Sequence, residues 1–217
     1  MAELVIIVAL ILSIVLHEVA HGYAANWMGD PTARLAGRLT TNPLKHIDPL
    51  GSVIIPALLF FSSAGFLFGW AKPVPYNPYN LKSPWGLPAR YSEALVAAAG
   101  PLTNLLLAVI FAVLIRFADT LGLTAAVVEL SSYIVYINIL LAFFNLIPIP
   151  PLDGSKVLLA VLPARASMRY QELTAKIERL GFLFTFLLIF LFINVLWAPF
   201  SILIFKAFSL LTGLGGL

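Results

Sequence analysis

The sequence predicts an all-α polytopic membrane protein, with about four to five transmembrane helices, a re-entrant hairpin and a small β element. Three observations carry that prediction. Of 217 residues, 61% are hydrophobic and only 11% charged, against roughly 25% charged in an ordinary soluble domain, so most of the surface must face something other than water. The apolar residues fall into long runs separated by proline-rich or charged stretches. Several ionisable residues lie inside those runs, where they are costly and mark function.

The first run begins at Leu4 and reads as a true span rather than a cleaved signal, because Glu3 stands where a basic start is expected and no small-residue cleavage site follows. It continues to Gly29 and Pro31 as a helix over about 3–28. A second run, 51–70, is broken by Pro56, Ser62-Ser63 and Gly65. The third, over 93–117, carries Gly100, Pro101 and Asn104 in its first turns. The fourth, over 131–150, ends in Pro148-Ile149-Pro150-Pro151, through which no helix continues. A fifth span is expected at 181–198, followed by a short apolar segment at 200–214 that either crosses or stays at the surface. Between the runs, 34–41 alternates Leu35, Gly37 and Leu39 with Arg38 and Thr40, as a short strand would. Residues 72–88 hold five prolines and read as extended loop. Leu173, Ile177 and Leu180 recur at helical spacing among charges, as in a helix lying on the membrane surface. No soluble domain is appended, and 1–217 reads as one domain.

His17-Glu18-Val19-Ala20-His21 is the sharpest chemical signal. Residues four apart on a helix share a face, so both imidazoles can reach one ion, and the intervening Glu can act on a water. On a soluble helix the pattern is commonly accidental. Here His17 lies roughly 20 Å into a hydrocarbon core of about 30 Å, where three ionisable groups in one turn need a partner. The bland alternative is that both histidines merely bond neighbouring helices. The absence of cysteine leaves His and carboxylate as metal ligands. A hydrolytic zinc site wants a third protein ligand. His46, Glu93, Asp119, Glu129 and Asp153 are the candidates, and Asp153 stands out because three prolines precede it at a helix end, a backbone tolerated at depth only where it lines a polar cavity. The alternative for Asp153 is a helix N-cap, which is the lesser reading because the histidine pair needs a partner.

Taken together, His17-Glu18-Val19-Ala20-His21, Gly100-Pro101-Leu102-Thr103-Asn104, and Asn145 through Pro148, Pro150, Pro151, Asp153 and Gly154 resemble the site-2 proteases, intramembrane zinc metalloproteases. Asn42-Pro43-Leu44-Lys45-His46 and Gly69-Trp70-Ala71-Lys72-Pro73-Val74-Pro75 are similar to the compact prokaryotic branch, without PDZ or CBS domains. The resemblance implies one Zn2+ per chain bound by His17, His21 and Asp153, with Glu18 as general base, and Asn104 and Asn145 orienting substrate or stabilising the oxyanion. It also implies membrane-protein substrates with unwound transmembrane helices, which the strand at 34–41 could hold by pairing; a structural plug is the alternative for that strand. Expected partners are those substrates, the lipid bilayer, and a homo-oligomer or regulatory membrane protein. Nucleic acid is excluded by a net charge of only +3. The rival function is a non-proteolytic membrane metal-binding protein or metal transporter, which three histidines in total support thinly.

Topology follows from making the ligands meet. If 51–70 crossed the membrane, Asp153 would lie on the opposite face from His21, so the run is expected to re-enter and bend at Ser62 to Gly65. Eleven of the thirteen Lys and Arg then share one face: Arg34, Arg38, Lys45, Lys72, Lys82, Arg90, Lys156, Arg165, Arg169, Lys176 and Arg179. The positive-inside rule makes that face cytoplasmic, with the N-terminus outside a cell membrane and the active site near the cytoplasm. Pro73 and Pro75 should border the active-site cavity.

Overall fold

A computed structural model of the chain describes residues 2–62, 69–83, 86 and 88–215. Its elements are helical, and four helices are long and apolar enough to cross a membrane. The first, α1 (Ala2–Trp27), carries the His-Glu pair in its C-terminal half. After it come a single turn, α2 (Thr32–Leu35), a 3-10 turn at Pro43–His46, and a π-helical stretch, Pro49–Ile54, that runs into α3 (Ile55–Phe61). Residues 70–77 form an extended strap. Next stand α4 (Ala89–Arg116), the short α5 (Ala118–Leu121) and α6 (Ala125–Asn145). Beyond the proline-rich turn, α7 (Asp153–Val161) and α8 (Ala164–Glu178) precede α9 (Phe182–Leu191), a π-helical turn at Phe192–Leu196, and α10 (Trp197–Thr212).

The centre of the bundle is α4, packed against α1, α6, α7 and α10. Small residues let these helices approach, since in lipid the association rests on close packing rather than on water exclusion. Ala108 and Ala112 of α4 meet Val135 and Ile139 of α6 and Ile204 and Phe208 of α10 in one buried cluster. This cluster lies toward the end of α4 remote from the histidines. There Arg116 donates to the carbonyls of Leu210 and Leu211, each at 2.6 Å, and so satisfies the open end of α10.

One expectation is corrected. The strand at 34–41 is absent, and no strand occurs among the described residues. Instead the amides of Leu35, Ala36 and Arg38 bond back to Pro31, Thr32 and Ala33, and Gly37 turns the chain at φ +64°. Alternation of side chains makes a strand only where a neighbouring backbone supplies a ladder. Here Arg38 reaches the nearest extended segment through its guanidinium, 2.7 Å from the Lys72 carbonyl. The pairing role assigned to that strand falls with it. At the C-terminal end the helical run from Phe182 continues through the π-turn to Thr212, and within it Phe192–Thr212 is long and apolar enough to cross a membrane, taking in most of the 200–214 segment. The bend at Ser62 to Gly65 lies largely outside the described residues.

The strap is tied to the end of α1 by Asp30, which is fully buried. Its carboxylate accepts from the Thr32 amide and hydroxyl, the Asn77 amide at 2.7 Å and Asn80 Nδ2 at 3.0 Å. Burial alone would push this carboxyl up, but the donors outweigh it and hold it below the usual range. Its contribution to stability is therefore present above the unfolded value of about 3.9 and is lost as pH falls through the lower folded value. Asp30→Ala is expected to cost about 1–3 kcal/mol and to accelerate amide exchange at Asn77 and Thr32 while α4 and α6 stay protected. In the unmodified chain the same two amides should open on acidification below about pH 4. Unaltered protection at Asn77 in the variant would show that something else holds the strap.

Candidate metal centre

Helix geometry puts His17 and His21 one turn apart on the buried face of α1, 5% and 9% exposed. Their other ring nitrogens are held by acceptors. His21 Nδ1 donates to the Val96 carbonyl at 2.7 Å, so its proton sits on Nδ1 and its Nε2 presents a lone pair. His17 Nδ1 lies 2.6 Å from Asn104 Oδ1. The Asn104 amide nitrogen is occupied by Asn138 Oδ1 at 2.8 Å and the Ser13 carbonyl at 3.4 Å, which fixes the oxygen toward His17 and leaves a second Nε2 lone pair.

Both lone pairs face the same point. The two Nε2 atoms are 3.1 Å apart, and Asp153 Oδ2 is 3.2 Å from one and 3.3 Å from the other. Three electron-pair donors in a buried triangle repel one another unless a cation lies among them. Ligand bonds of about 2.0–2.1 Å around tetrahedral zinc give edges of about 3.3 Å, which is the size of this triangle. The donor set thus fits a zinc ion with a fourth position left open. Among the described residues, these three form the group of His and carboxylate side chains that could hold a metal. His46 lies elsewhere, its Nε2 donating to the Thr40 carbonyl 2.9 Å away.

Asp153 is the first helical residue of α7, and the position before it, Leu152, carries no side-chain cap. The capping alternative is therefore set aside: the carboxylate turns to the histidines. Gly154 lets α7 start there, because a Cβ on it would run into the Leu146 and Ile147 carbonyls. Gly100 does the same for α4. A Cβ at Gly100 would stand 2.5 Å from His21 Nε2 and 2.6 Å from His17 Nε2, so only glycine allows α4 against the imidazoles. Pro101 lacks the N–H that would bond the Ala97 carbonyl, which loosens the helix beside the carbonyl that His21 uses.

Glu18 is half-buried beside the triangle, and its Oε2 accepts from the Val74 amide of the strap at 2.9 Å. Asn104 differs from the expected substrate or oxyanion role. It is fully buried, its polar atoms are all engaged, and it orients His17 from behind. Asn145 bonds the Leu141 carbonyl through Nδ2 at 2.9 Å and lines the cavity with Glu18 and Asp153. Pro73 borders that cavity and Pro75 does not. Sequence reasoning missed Ser13 and Asn138, whose side chains bond each other at 2.9 Å and complete the support of Asn104. Polar residues within apolar runs were the available signal.

Comparison with known proteins identifies the family. The profile of peptidase family M50 matches residues 5–121 and 122–191. The "Putative zinc metalloprotease YwhC" of Bacillus subtilis (strain 168) is 39% identical over 175 residues, covering 77% of this chain and 74% of that protein. The "Putative zinc metalloprotease Rip2" of Mycolicibacterium smegmatis is 29% identical over 195 residues, 86% of this chain and 66% of the relative. The "Putative zinc metalloprotease Rip2" of Mycobacterium tuberculosis (strain ATCC 25618 / H37Rv) is 26% identical over 149 residues, 69% of this chain and 54% of that relative's length. No solved structure matches significantly. The histidine pair on an apolar helix, the carboxylate brought to it from α7 and a family match across most of the sequence lead to one conclusion: this chain belongs to peptidase family M50, the site-2 protease family.

Proposed function

We propose that the chain is a zinc-dependent intramembrane endopeptidase that hydrolyses peptide bonds in or near transmembrane segments of membrane proteins. The observation that carries this reading is the triangle that His17 Nε2 and His21 Nε2, on a helix otherwise apolar enough to cross a membrane, make with Asp153 Oδ2 of α7, with Glu18 beside it. A cavity of about 540 Å³ leads to it, lined by His17 and Glu18 and otherwise mainly by apolar side chains such as Ile14, Trp70, Leu141 and Phe144. An unwound apolar peptide suits such a lining better than a hydrated ion in transit does.

His17, His21 and Asp153 would hold the zinc, which when bound supplies a Lewis acid that polarises the scissile carbonyl and acidifies water. Glu18 does the proton work. With Oε2 tethered to the strap amide, Oε1 can take a proton from the attacking water and later return it to the departing peptide nitrogen. The strap thus fixes the base, and Asn104 fixes the His17 ring.

The re-entrant reading of 51–70 is supported by its two ends. The Trp70 amide donates to the Gly51 carbonyl at 3.1 Å, and Ser52 Oγ donates to the Trp70 carbonyl at 2.8 Å, as at the base of a segment that leaves and returns on one side. With that parity, α4 and α6 cross once each, and the metal ligands and most basic residues share the cytoplasmic face of a cell membrane, the N-terminus being outside. The meeting of Arg116 with the end of α10 favours a further crossing by 192–212.

A cysteine at Lys82 or Arg169 should then label from the cytoplasm and one at Thr120 from outside; labelling of 82 and 169 from opposite faces would remove the re-entrant segment. For the chemistry, Glu18→Gln should keep zinc at one per chain while hydrolysis of transmembrane peptides falls about a hundredfold or more. Full activity in that variant would end the protease reading. Asp153→Asn, which removes no cap, should lose zinc and activity together while remaining folded in detergent; a zinc-loaded, active variant would end its role as ligand. Gly100→Ala should also lower zinc content, because its methyl group displaces both imidazoles.

A further inference from the structure

Besides Asn145, the cavity of about 130 Å³ around the triangle contains two polar side chains that the reaction so far leaves idle, Tyr76 and Lys156. They arrive from different elements. Tyr76 belongs to the strap, two residues after the amide that binds Glu18 and one before the amide that binds Asp30. Lys156 lies three residues after Asp153 on α7, on the same side of the helix as the metal ligand. Both are half-buried, and Lys156 Nζ is 2.7 Å from the Tyr76 hydroxyl and 5.0 Å from its ring centroid.

Donor logic sets the direction of that bond. An ammonium has three donors and no acceptor, so Lys156 donates and the phenol oxygen accepts. The proton of Tyr76 is therefore not spent on Lys156 and can be given to another group in the cavity. Burial pushes the phenol up despite the lysine charge, so the proton stays on Tyr76 at neutral pH. Burial pulls Lys156 down, but Tyr76 and the carboxylates of Asp153 and Glu93 more than restore it, so the ammonium stays charged. A hydroxyl whose oxygen is held by a cation is a stronger donor than a free one.

We propose that Tyr76 is a catalytic residue, donating a hydrogen bond to the carbonyl oxygen of the scissile peptide as negative charge develops on it, and that Lys156 is its positioning residue. The assignment rests on the endopeptidase reading. As water adds to the carbonyl carbon, its proton passes to Glu18 and the carbonyl π pair moves onto oxygen, where Tyr76 donates. The pair returns when the C–N bond breaks, and the nitrogen leaves with the proton from Glu18. Tyr76 keeps its own proton throughout. Of the two residues to which the resemblance gives this role, Asn104 has every polar atom engaged behind His17, whereas Asn145 bonds the Leu141 carbonyl through Nδ2 and lines the same cavity, so Tyr76 is a donor beside it.

Tyr76→Phe keeps the ring and removes the donor. In the full chain loaded with zinc, kcat on a transmembrane peptide should fall about 10²–10³-fold, with KM changed less than about threefold and zinc content and thermal stability unaltered. A phosphinic peptide of the same sequence, whose tetrahedral phosphorus oxygens imitate the adduct, should lose affinity by the same factor as kcat/KM. Binding of uncleaved substrate to Glu18→Gln should not change when Tyr76→Phe is added. Lys156→Met should act in the same direction and Lys156→Arg should restore part of the rate. If Tyr76→Phe keeps its kcat, or weakens substrate and phosphinic peptide equally, or releases zinc, the pair is only a latch between strap and α7 and the proposal is overturned. A wild-type chain that cleaves nothing, or a Glu18→Gln variant that cleaves, removes the endopeptidase reading itself; an active wild type beside an undiminished Tyr76→Phe removes this assignment alone.

Discussion

Three electron-pair donors facing one another across about 3.2 Å in a buried site impose the constraint on which the rest of the molecule depends. Such a triangle is repulsive without a cation, and its members must be held from behind. His17 is held by Asn104 and His21 by the Val96 carbonyl, both from α4, while Asp153 is carried by the first turn of α7. The helix that orients both imidazoles must therefore touch them. That requirement accounts for a glycine at position 100, because any Cβ there would occupy the space of the ring nitrogens. It also accounts for Asn104, one helical turn further on, reaching His17 from the same helix.

Support behind the ligands continues inward as a chain of neutral hydrogen bonds. Asn104 is anchored to Asn138 of α6, and Asn138 to Ser13, one turn before His17 on α1. Three helices are thus locked by a closed polar circuit at the depth where a single unsatisfied amide would cost several kcal/mol. The apolar cluster at the other end of α4 supplies packing without polar groups. The division is physical: shape complementarity of small and aromatic residues holds the bundle at one end, and hydrogen-bond complementarity registers the ligands at the other.

On the open side of the triangle the backbone is extended rather than helical. The strap over 70–77 contains prolines and cannot satisfy its own amides by helix, so the neighbouring elements satisfy them. The Val74 amide goes to Glu18, the Asn77 amide to Asp30 and the Lys72 amide to the His46 carbonyl. An unsatisfied amide is thereby made useful, because the one at Val74 holds a carboxylate beside the metal ligands. The same strap brings Tyr76 to Lys156 and into the cavity. Glu18, the candidate ligands and a candidate oxyanion donor come from three separate stretches of chain, each rigid for a different reason.

Composition and periodicity determined the class of the protein. Apolar runs of helical length, interrupted by prolines, specify spanning helices because a bilayer accepts no unpaired backbone. The spacing of His17, Glu18 and His21 determined a metal-binding face, since four residues make one helical turn. The partner of that face was legible as a choice among His46 and four carboxylates with Asp153 foremost; whether Asp153 capped a helix or met the histidines depended on the path of the turn at 146–152, which local pattern does not encode. The strand at 34–41 failed for a related reason: alternation states what one chain could do, while a ladder needs a second backbone at the right distance. Tertiary structure alone decided that Asn104 stands behind His17, that Ser13 and Asn138 close the circuit, and that the strap amide holds Glu18. Those bonds join residues between 34 and 125 positions apart, so no short window of sequence could contain them.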